Sequence, residues 1–461
     1  MRNWVIKKKF LAVAVLFIVL GVFVGSGKVH RVGADIDSAY EKLKILADVL
    51  AIVERNYVEA PKVSNLIQGA INGMLETLDP HSTYMSPDVF KEMQTETRGS
   101  FGGVGFEITI RDKVLTVVAP IEDTPAFRAG IQSGDQIFRI NGKSTKDMNL
   151  MDAVKLMRGP QGTQVTITIM RSGFTEPLDI TLSRAIIPIR SVRFRMLEEG
   201  YGYIKINQFI EKTHSDMKAA LDRLESKDGT LKGLILDLRN DPGGLLEQAV
   251  KVADEFMDSG LIVYTEGRVE GQKMKFYAQK NEKEHNYPII VLVNAGSASA
   301  SEIVAGALQD HGRAVVLGTQ TFGKGSVQTI IPLEDGSAVR LTTARYFTPN
   351  GRSIQAQGIT PDIIVADLNP ESKRGGPQRA IREKDLEHHL LGEGEKTVPG
   401  KTPEKSPEKS LSKPPDKPLD KSKKRDPSLA AEPQEDPPLE RALELLKTWQ
   451  ILNKVTTKRA S

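Results

Sequence analysis

Three short runs constrain this chain more than any other feature. Gly233–Leu238, Ile289–Val293 and Ala314–Gly318 are almost continuously apolar and show little of the polar alternation of a half-exposed strand. Runs of that length bounded by turn residues read as strands buried on both faces. Helical spacing follows two of them, with Leu246, Ala249, Val250 and Ala253 on one face and Ile303 to Leu308 within another. Strands that alternate with helices predict parallel crossover units, so residues 183–370 are expected to form an α/β core. Val327–Leu333 and Ala338–Thr343 are expected to return to strand.

At 461 residues the chain exceeds one compact core, and the regions around the α/β core differ in character. Residues 35–97 carry Leu43, Ile45, Leu46, Leu50, Ile52 and Val53 at helical spacing, which predicts a helical region broken at Asp79-Pro80-His81-Ser82. Residues 98–182 begin with Gly102-Gly103-Val104-Gly105-Phe106-Glu107-Ile108, a glycine-rich entry into a strand. A second strand at Val114–Val118, a helix opening at Thr124-Pro125-Ala126, a turn at Ile140-Asn141-Gly142 and an amphipathic helix through Leu150, Ala153, Val154 and Met157 follow, then an alternating strand to Met170. From 393 to 437 Lys, Pro, Glu, Asp and Ser dominate; such a composition buries too little apolar area to offset ordering entropy and is expected to be disordered. A C-terminal helix is predicted for 438–456, with Asp436 as N-cap, Pro437 at N1 and Leu439, Ala442, Leu443 and Leu446 on one face, to dock on the body or pair with a partner.

At the N-terminus, Arg2, Lys7, Lys8 and Lys9 precede an apolar run from Phe10 to Val24. Residues 1–27 therefore read as a signal peptide or uncleaved signal anchor, placing the body on the periplasmic or extracytoplasmic side, with inner-membrane association through that segment. The net charge of +4 is small for the length, which argues against nucleic acid as a partner. The absence of cysteine excludes disulfides, thiolate metal sites and a cysteine nucleophile. No spacing of His with Asp or Glu suggests a metal site, and no cofactor is implied.

The densest chemical signal is Asn294-Ala295-Gly296-Ser297-Ala298-Ser299-Ala300-Ser301-Glu302, where a buried strand gives way to small residues and then a helix. Small neighbours admit a substrate carbonyl, and a helix N-terminus offers N–H groups to a developing oxyanion. Ser299 and Glu302 equally fit a capping box, and local chemistry does not choose among Ser297, Ser299 and Ser301. The second signal is Phe322-Gly323-Lys324-Gly325 ahead of a strand. A desolvated lysine can lose its proton and serve as a base, but a loop cation fits as well. A phosphate loop does not: Gly325 follows the lysine, and a strand follows the loop. The third is Asp237-Leu238-Arg239-Asn240-Asp241-Pro242-Gly243-Gly244, whose glycines suit either a tight turn or an oxyanion site. Among the histidines, His81 and His311 are the candidates for a histidine-dependent hydrolase. A non-catalytic scaffold that binds protein tails is the other rival.

Taken together, Gly296–Glu302, Phe322-Gly323-Lys324-Gly325 and Gln328 resemble the C-terminal processing peptidases, or tail-specific proteases. The resemblance runs from about Asp35 to Val365 and includes Asp79-Pro80-His81-Ser82-Thr83-Tyr84, Gly202–Ile206, Asp237–Asn240 and Tyr346-Phe347-Thr348-Pro349-Asn350-Gly351. It implies a multi-domain α/β protein: a crotonase-like peptidase core, an inserted PDZ domain and an N-terminal helical region. It implies a serine endopeptidase in which Ser299 attacks, Lys324 is the base and Gln328 orients the lysine. Ala300 and one glycine of the pair Gly243 and Gly244 are then the oxyanion donors. Gly103, Val104, Gly105 and Phe106 resemble a PDZ carboxylate-binding loop, which holds a terminal carboxylate on successive N–H groups while the peptide adds as a strand. Arg158 matches the arginine implicated in coupling PDZ occupancy to the active site, the alternative being a surface helix-end cation. The implied partners are protein substrates with exposed C-termini; an adaptor protein and a homo-oligomer are left open.

Overall fold

The computed structural model describes residues 29–111, 113–171, 173–228, 231–281, 283–366, 381–392 and 436–460. The predicted signal segment 1–27 and residues 393–435 of the Lys/Pro-rich stretch lie outside the described residues. The chain divides into two compact units, at Thr77 and Leu78. The first contains α1 (Val29–Asn56) and α2 (Val63–Glu76), and along α1 Tyr40, Leu43, Ile45, Leu46, Val49 and Ile52 are exposed.

The second unit opens with β1 (Thr83–Met85) and α3 (Pro87–Arg98), which ends on Gly99 in the left-handed region, where a glycine carries no Cβ penalty. Next come β2 (Ser100–Gly103), β3 (Phe106–Arg111), β4 (Val114–Pro120), α4 (Pro125–Arg128), β5 (Gln136–Ile140), β6 (Lys143–Ser144), α5 (Leu150–Met157), β7 (Gln164–Met170), β8 (Leu178–Ser183) and β9 (Ala185–Pro188). Strands β3-β4-β5-β7-β8 form one antiparallel sheet in that order, with β3 on its edge. The amphipathic reading of α5 holds: Ala153 and Met157 enter a core with Val117, Ile137, Ile140, Val165 and Ile167. Thr124 caps α4 and Asn149 caps α5, each accepting a backbone N–H with its side chain. Strands β2 and β9 pair as a separate ribbon that leads into and out of this module.

The α/β core comprises β10 (Val192–Glu198), β11 (Tyr201–Ile206), α6 (Thr213–Asp228), β12 (Gly233–Asp237), α7 (Leu246–Asp254), β13 (Leu261–Gly267), β14 (Met274–Tyr277), β15 (Ile289–Val293), α8 (Ala300–Asp310), β16 (Ala314–Gly318), β17 (Ser326–Pro332), β18 (Ala338–Phe347) and β19 (Ile363–Ile364). A six-stranded sheet runs β10-β11-β12-β15-β16-β19, parallel from β11 onward, with Leu236 opposite Val291 and Val291 opposite Val316. The expected three apolar runs are its centre. A second sheet, β1-β18-β13-β14 with β17 on β18, is antiparallel. Sequence reading left β1, β8, β9, β10, β13 and β14 unassigned. Of these, β1, β9 and β13 pair with strands remote in the chain, which no local pattern names, whereas β8 and β10 alternate apolar and polar residues, a local signal the reading passed over.

Both faces of the parallel sheet are covered, as continuous apolar strands require. On one face Leu234, Leu236, Val291 and Val316 pack with Val252 of α7 and Val304 of α8. On the other, Ile235, Ile290, Leu292 and Leu317 pack against Ala442 and Leu446 of α9 (Pro437–Ala460). The C-terminal helix therefore docks on the body. Its predicted N-cap is made, with Asp436 accepting the Leu439 N–H at 3.2 Å. Arg239 grips the same carboxylate through two nitrogens, at 2.7 and 2.8 Å, and also binds Asp237.

Candidate active site

Strand β15 ends at Val293, and the chain crosses Asn294–Ala298 before α8 starts at Ala300. Asn294 Oδ1 accepts the N–H groups of Gly296 and Asn240, both at 3.0 Å, fastening this turn to the end of β12. The hydroxyls of Ser297 and Ser301 are consumed by structure. Ser297 donates to the Leu238 carbonyl at 2.8 Å and Ser301 to the Asp241 carbonyl at 3.1 Å, and both residues are fully buried. Ser299 between them is half-exposed and makes no side-chain cap bond to the helix. Structure thus separates the three serines, which local sequence could not. Ser299 also sits at φ 55°, ψ −111°, outside the regions that L-residues favour. Such strain persists where the surroundings over-determine it, and it concentrates at functional sites.

The capping box is half made. The Ser299 N–H donates to Glu302 Oε2 at 2.8 Å. Glu302 does more than close a helix turn. It is fully buried, and the same carboxylate accepts the Lys324 N–H at 2.9 Å, the Gly323 N–H at 2.7 Å and the Thr321 hydroxyl. One side chain therefore joins the serine turn to the lysine loop. Burial pushes its pKa up to about 7 against the pull of those donors.

Lys324 lies just before β17, half-buried, and burial lowers its ammonium pKa. The carboxylates of Glu383, Asp79 and Glu302 oppose that shift, and the Arg340 charge adds to it. Its loop is held at every peptide: the Phe322 N–H donates to the Ser297 carbonyl at 3.0 Å, the Tyr346 phenol to the Lys324 carbonyl, and the Gly325 N–H to Gln355 Oε1 at 3.0 Å. Gln328, four residues on, donates through Nε2 to Ser326 Oγ at 2.9 Å; among the described residues it makes no hydrogen bond to Lys324.

Gly243 lies beside Ser299. A Cβ on it would sit 2.8 Å from the Ser299 Cβ and 2.9 Å from the Ala300 nitrogen, and its φ of +100° also favours glycine. The glycine therefore leaves open the space in front of the first N–H of α8. Its own N–H is engaged by Asp241 Oδ1 at 2.9 Å, which differs from a free oxyanion donor. Asp241 is fully buried, its Oδ2 has no partner among the described residues, and burial pushes its pKa up to about 7. Gly244 packs on the backbone of Phe209, where a Cβ would approach the carbonyl oxygen to 2.1 Å.

In the antiparallel module, Gly103-Val104-Gly105 lead into the edge strand β3 at Phe106, whose outer side is unpaired within its sheet. The Gly105 carbonyl accepts from Thr124 Oγ1 at 2.9 Å, which anchors the glycine loop to α4. Arg158 ends α5, but it is not a surface cation. It is half-buried, pairs with Glu92 of α3 and lies 4.6 Å above the Phe101 ring.

The two candidate histidines are otherwise engaged. His311 Nε2 contacts the Leu261 carbonyl at 2.7 Å, and His81 Nε2 pairs with Glu383 at 2.8 Å. Among the described residues no group of ligand side chains could hold a metal, and no helix is long and apolar enough to cross a membrane. Sequence reasoning missed Asp79, Tyr346, Gln355 and Glu383 as site residues. Asp79 and Tyr346 stood inside quoted motifs without a role; Gln355 and Glu383 carried no signal.

Residues 200–365 match the model of peptidase family S41, residues 116–171 that of a PDZ domain, and residues 24–89 that of the activating protease CtpB N-terminal domain. The carboxy-terminal-processing protease of Bartonella bacilliformis is 48% identical over 387 residues, covering 83% of this chain and 89% of that protein. The carboxy-terminal processing protease CtpA of Bacillus subtilis is 39% identical over 328 residues, covering 71% of this chain and 69% of that protein. A solved photosystem II D1 C-terminal processing protease aligns at 32% identity with a TM-score of 0.41, covering 69% of this chain and 92% of that one. The chain belongs to the carboxy-terminal processing proteases of peptidase family S41: a serine-type peptidase that carries a PDZ domain and acts on protein substrates.

Proposed function

We propose that the chain cleaves protein C-terminal tails through an acyl-enzyme formed by a Ser299–Lys324 dyad, on the extracytoplasmic side of the cell membrane. One observation carries the reading: the Glu302 carboxylate binds the N–H groups of both residues, so a turn at a helix start and a loop 25 residues later share one anchor. Burial favours the neutral amine of Lys324, the form that can take a proton.

Ser299 Oγ attacks the scissile carbonyl carbon as its proton passes to Lys324 Nζ. The Ala300 N–H, in the gap left by Gly243, stabilises the oxyanion. Collapse breaks the C–N bond, and the lysine ammonium returns the proton to the departing amine. Neutral again, Lys324 deprotonates a water that attacks the ester. This releases the new C-terminal acid and restores Ser299. Gln328, four residues along from the lysine, is the group assigned to orient it.

The unpaired edge of β3 suits addition of a tail as a further strand, with its carboxylate on the Gly103–Phe106 loop. Arg158, bridging α5 to α3, is the group assigned to couple tail binding to the core. The basic and apolar residues 2–24 support export and membrane association. Adaptor delivery and self-association fit this role.

The test uses purified protein and an unfolded substrate with an apolar C-terminal tail. Ser299→Ala and Lys324→Ala should each abolish cleavage and keep the wild-type melting profile. Cleavage at the wild-type rate by either variant overturns the dyad. Recovery of the full chain in the cytosolic fraction of cells overturns the localisation.

A further inference from the structure

The peptidase model ends at residue 365, yet a segment beyond it reaches the lysine loop. Residues 381–392 bring Glu383 to a fully buried position. Its N–H donates to the Phe322 carbonyl at 3.1 Å. Its carboxylate accepts from Gln355 Nε2 at 3.0 Å, while Gln355 Oε1 takes the Gly325 N–H at 3.0 Å. Both flanks of Lys324 therefore close on one residue. The other side of the carboxylate is held by His81 Nε2, at 2.8 and 2.9 Å to its two oxygens. His81 is itself fixed by its N–H bond to Asp79 Oδ1 at 2.8 Å.

We propose that Glu383 is a positioning residue for the lysine base: the 381–392 segment locks the Lys324 loop through Phe322, Gln355 and His81. The inference rests on Lys324 being the base. A carboxyl that meets hydrogen-bond donors from His81 and Gln355 stays ionised, and despite burial its pKa lies below the usual glutamate value. The charged groups that face Lys324 are Glu383 from this segment, Arg340 from β18, Asp79 from the loop before β1 and Glu302 from α8. Of the carboxylates, Glu383 is the largest contributor. It favours the ammonium and so holds the lysine's pKa above the value that burial alone would set.

The sign follows. If neutral Lys324 is the active form, the rate rises with pH through the lysine's pKa. Removing the Glu383 charge should lower that pKa and move the acid limb of kcat/KM to lower pH. A merely structural residue would reduce the rate without moving the limb. For Glu383→Gln the expected shift is about one pH unit downward. Glu383→Asp, which keeps the charge on a shorter arm, should lower kcat and leave the limb in place. His81→Ala removes a donor that keeps Glu383 ionised, so the limb should again move downward.

An unmoved limb in folded Glu383→Gln overturns the proposal. Should that variant fail to fold, an unmoved or raised limb in His81→Ala overturns it. Wild-type activity in Lys324→Ala would remove the dyad itself. A dead Lys324→Ala beside an unmoved Glu383→Gln limb removes only the role of Glu383.

Discussion

The serine turn and the lysine loop are both short, glycine-containing links beside core strands, yet they are held in different ways. The serine turn is tied mostly to the neighbouring turn after β12, through Asn240, Leu238 and Asp241. It sits at a junction that the strand–turn–helix pattern already dictates. The lysine loop draws its partners from Glu302, Tyr346, Gln355 and Glu383. A nucleophile needs an exposed, strained perch, which one strand and one helix can supply. A neutral lysine needs enclosure, and enclosure takes several remote parts of the chain.

Glu302→Ala breaks both halves at once and should have the largest effect. It strands three N–H groups, one of them buried, and the buried Thr321 hydroxyl, at a cost of about 3–5 kcal/mol of stability, with turnover falling to background. Denaturant titration and peptidase assay measure the two losses. Retention of activity would show that the serine turn and lysine loop are not coupled through this carboxylate.

Asp241→Asn probes the serine side alone. Burial holds the native Asp241 pKa at about 7, above the ordinary aspartate value of about 3.9. The folded state therefore binds that proton more tightly than the unfolded chain. The resulting stabilisation is complete below about pH 4 and is lost as pH rises through 7. Between pH 4 and pH 8 wild type should lose up to about 4 kcal/mol on this account, a loss that Asp241→Asn lacks. Unfolding midpoints at the two pH values give the difference. Identical slopes would show that the carboxyl ionises without penalty.

Tyr346→Phe probes the junction of the two sides, since the phenol meets both the Lys324 carbonyl and the Ser299 side chain, and should have the smallest effect. It removes one hydrogen bond to the Lys324 carbonyl and leaves the ring in the core, costing about 1 kcal/mol. Turnover should fall by less than about tenfold, since the other partners still hold the loop. A complete loss would mean that the phenol takes a direct part in the chemistry.

The legibility of the sequence follows the same division. The three central strands, the helices after two of them and the amphipathic α5 were readable because their burial is written as local periodicity. The short β1 and its pairing with the expected strand β18 were not, since Tyr84 opposes Val339 more than 250 residues away. At the site, Ser299 was readable as one of three candidate serines and Lys324 as a loop cation with a second possible role. Their pairing came from ordered motifs. Glu302 was visible only as the end of a capping box, and the sequence distinguished neither Gln355 nor Glu383 from surface polar residues.

By itself, then, the sequence determined a parallel α/β core, a glycine loop entering an edge strand, and a run of small residues at a helix start, because each is set by neighbours in the chain. Only the tertiary structure decided which serine keeps its hydroxyl out of the backbone scaffold, that the C-terminal helix covers the far face of the sheet, and that a carboxylate from residue 383 faces the lysine. Those depend on which distant groups share one buried volume. There an unpaired charge or N–H group is costly, and the partner that relieves it can come from anywhere in the chain.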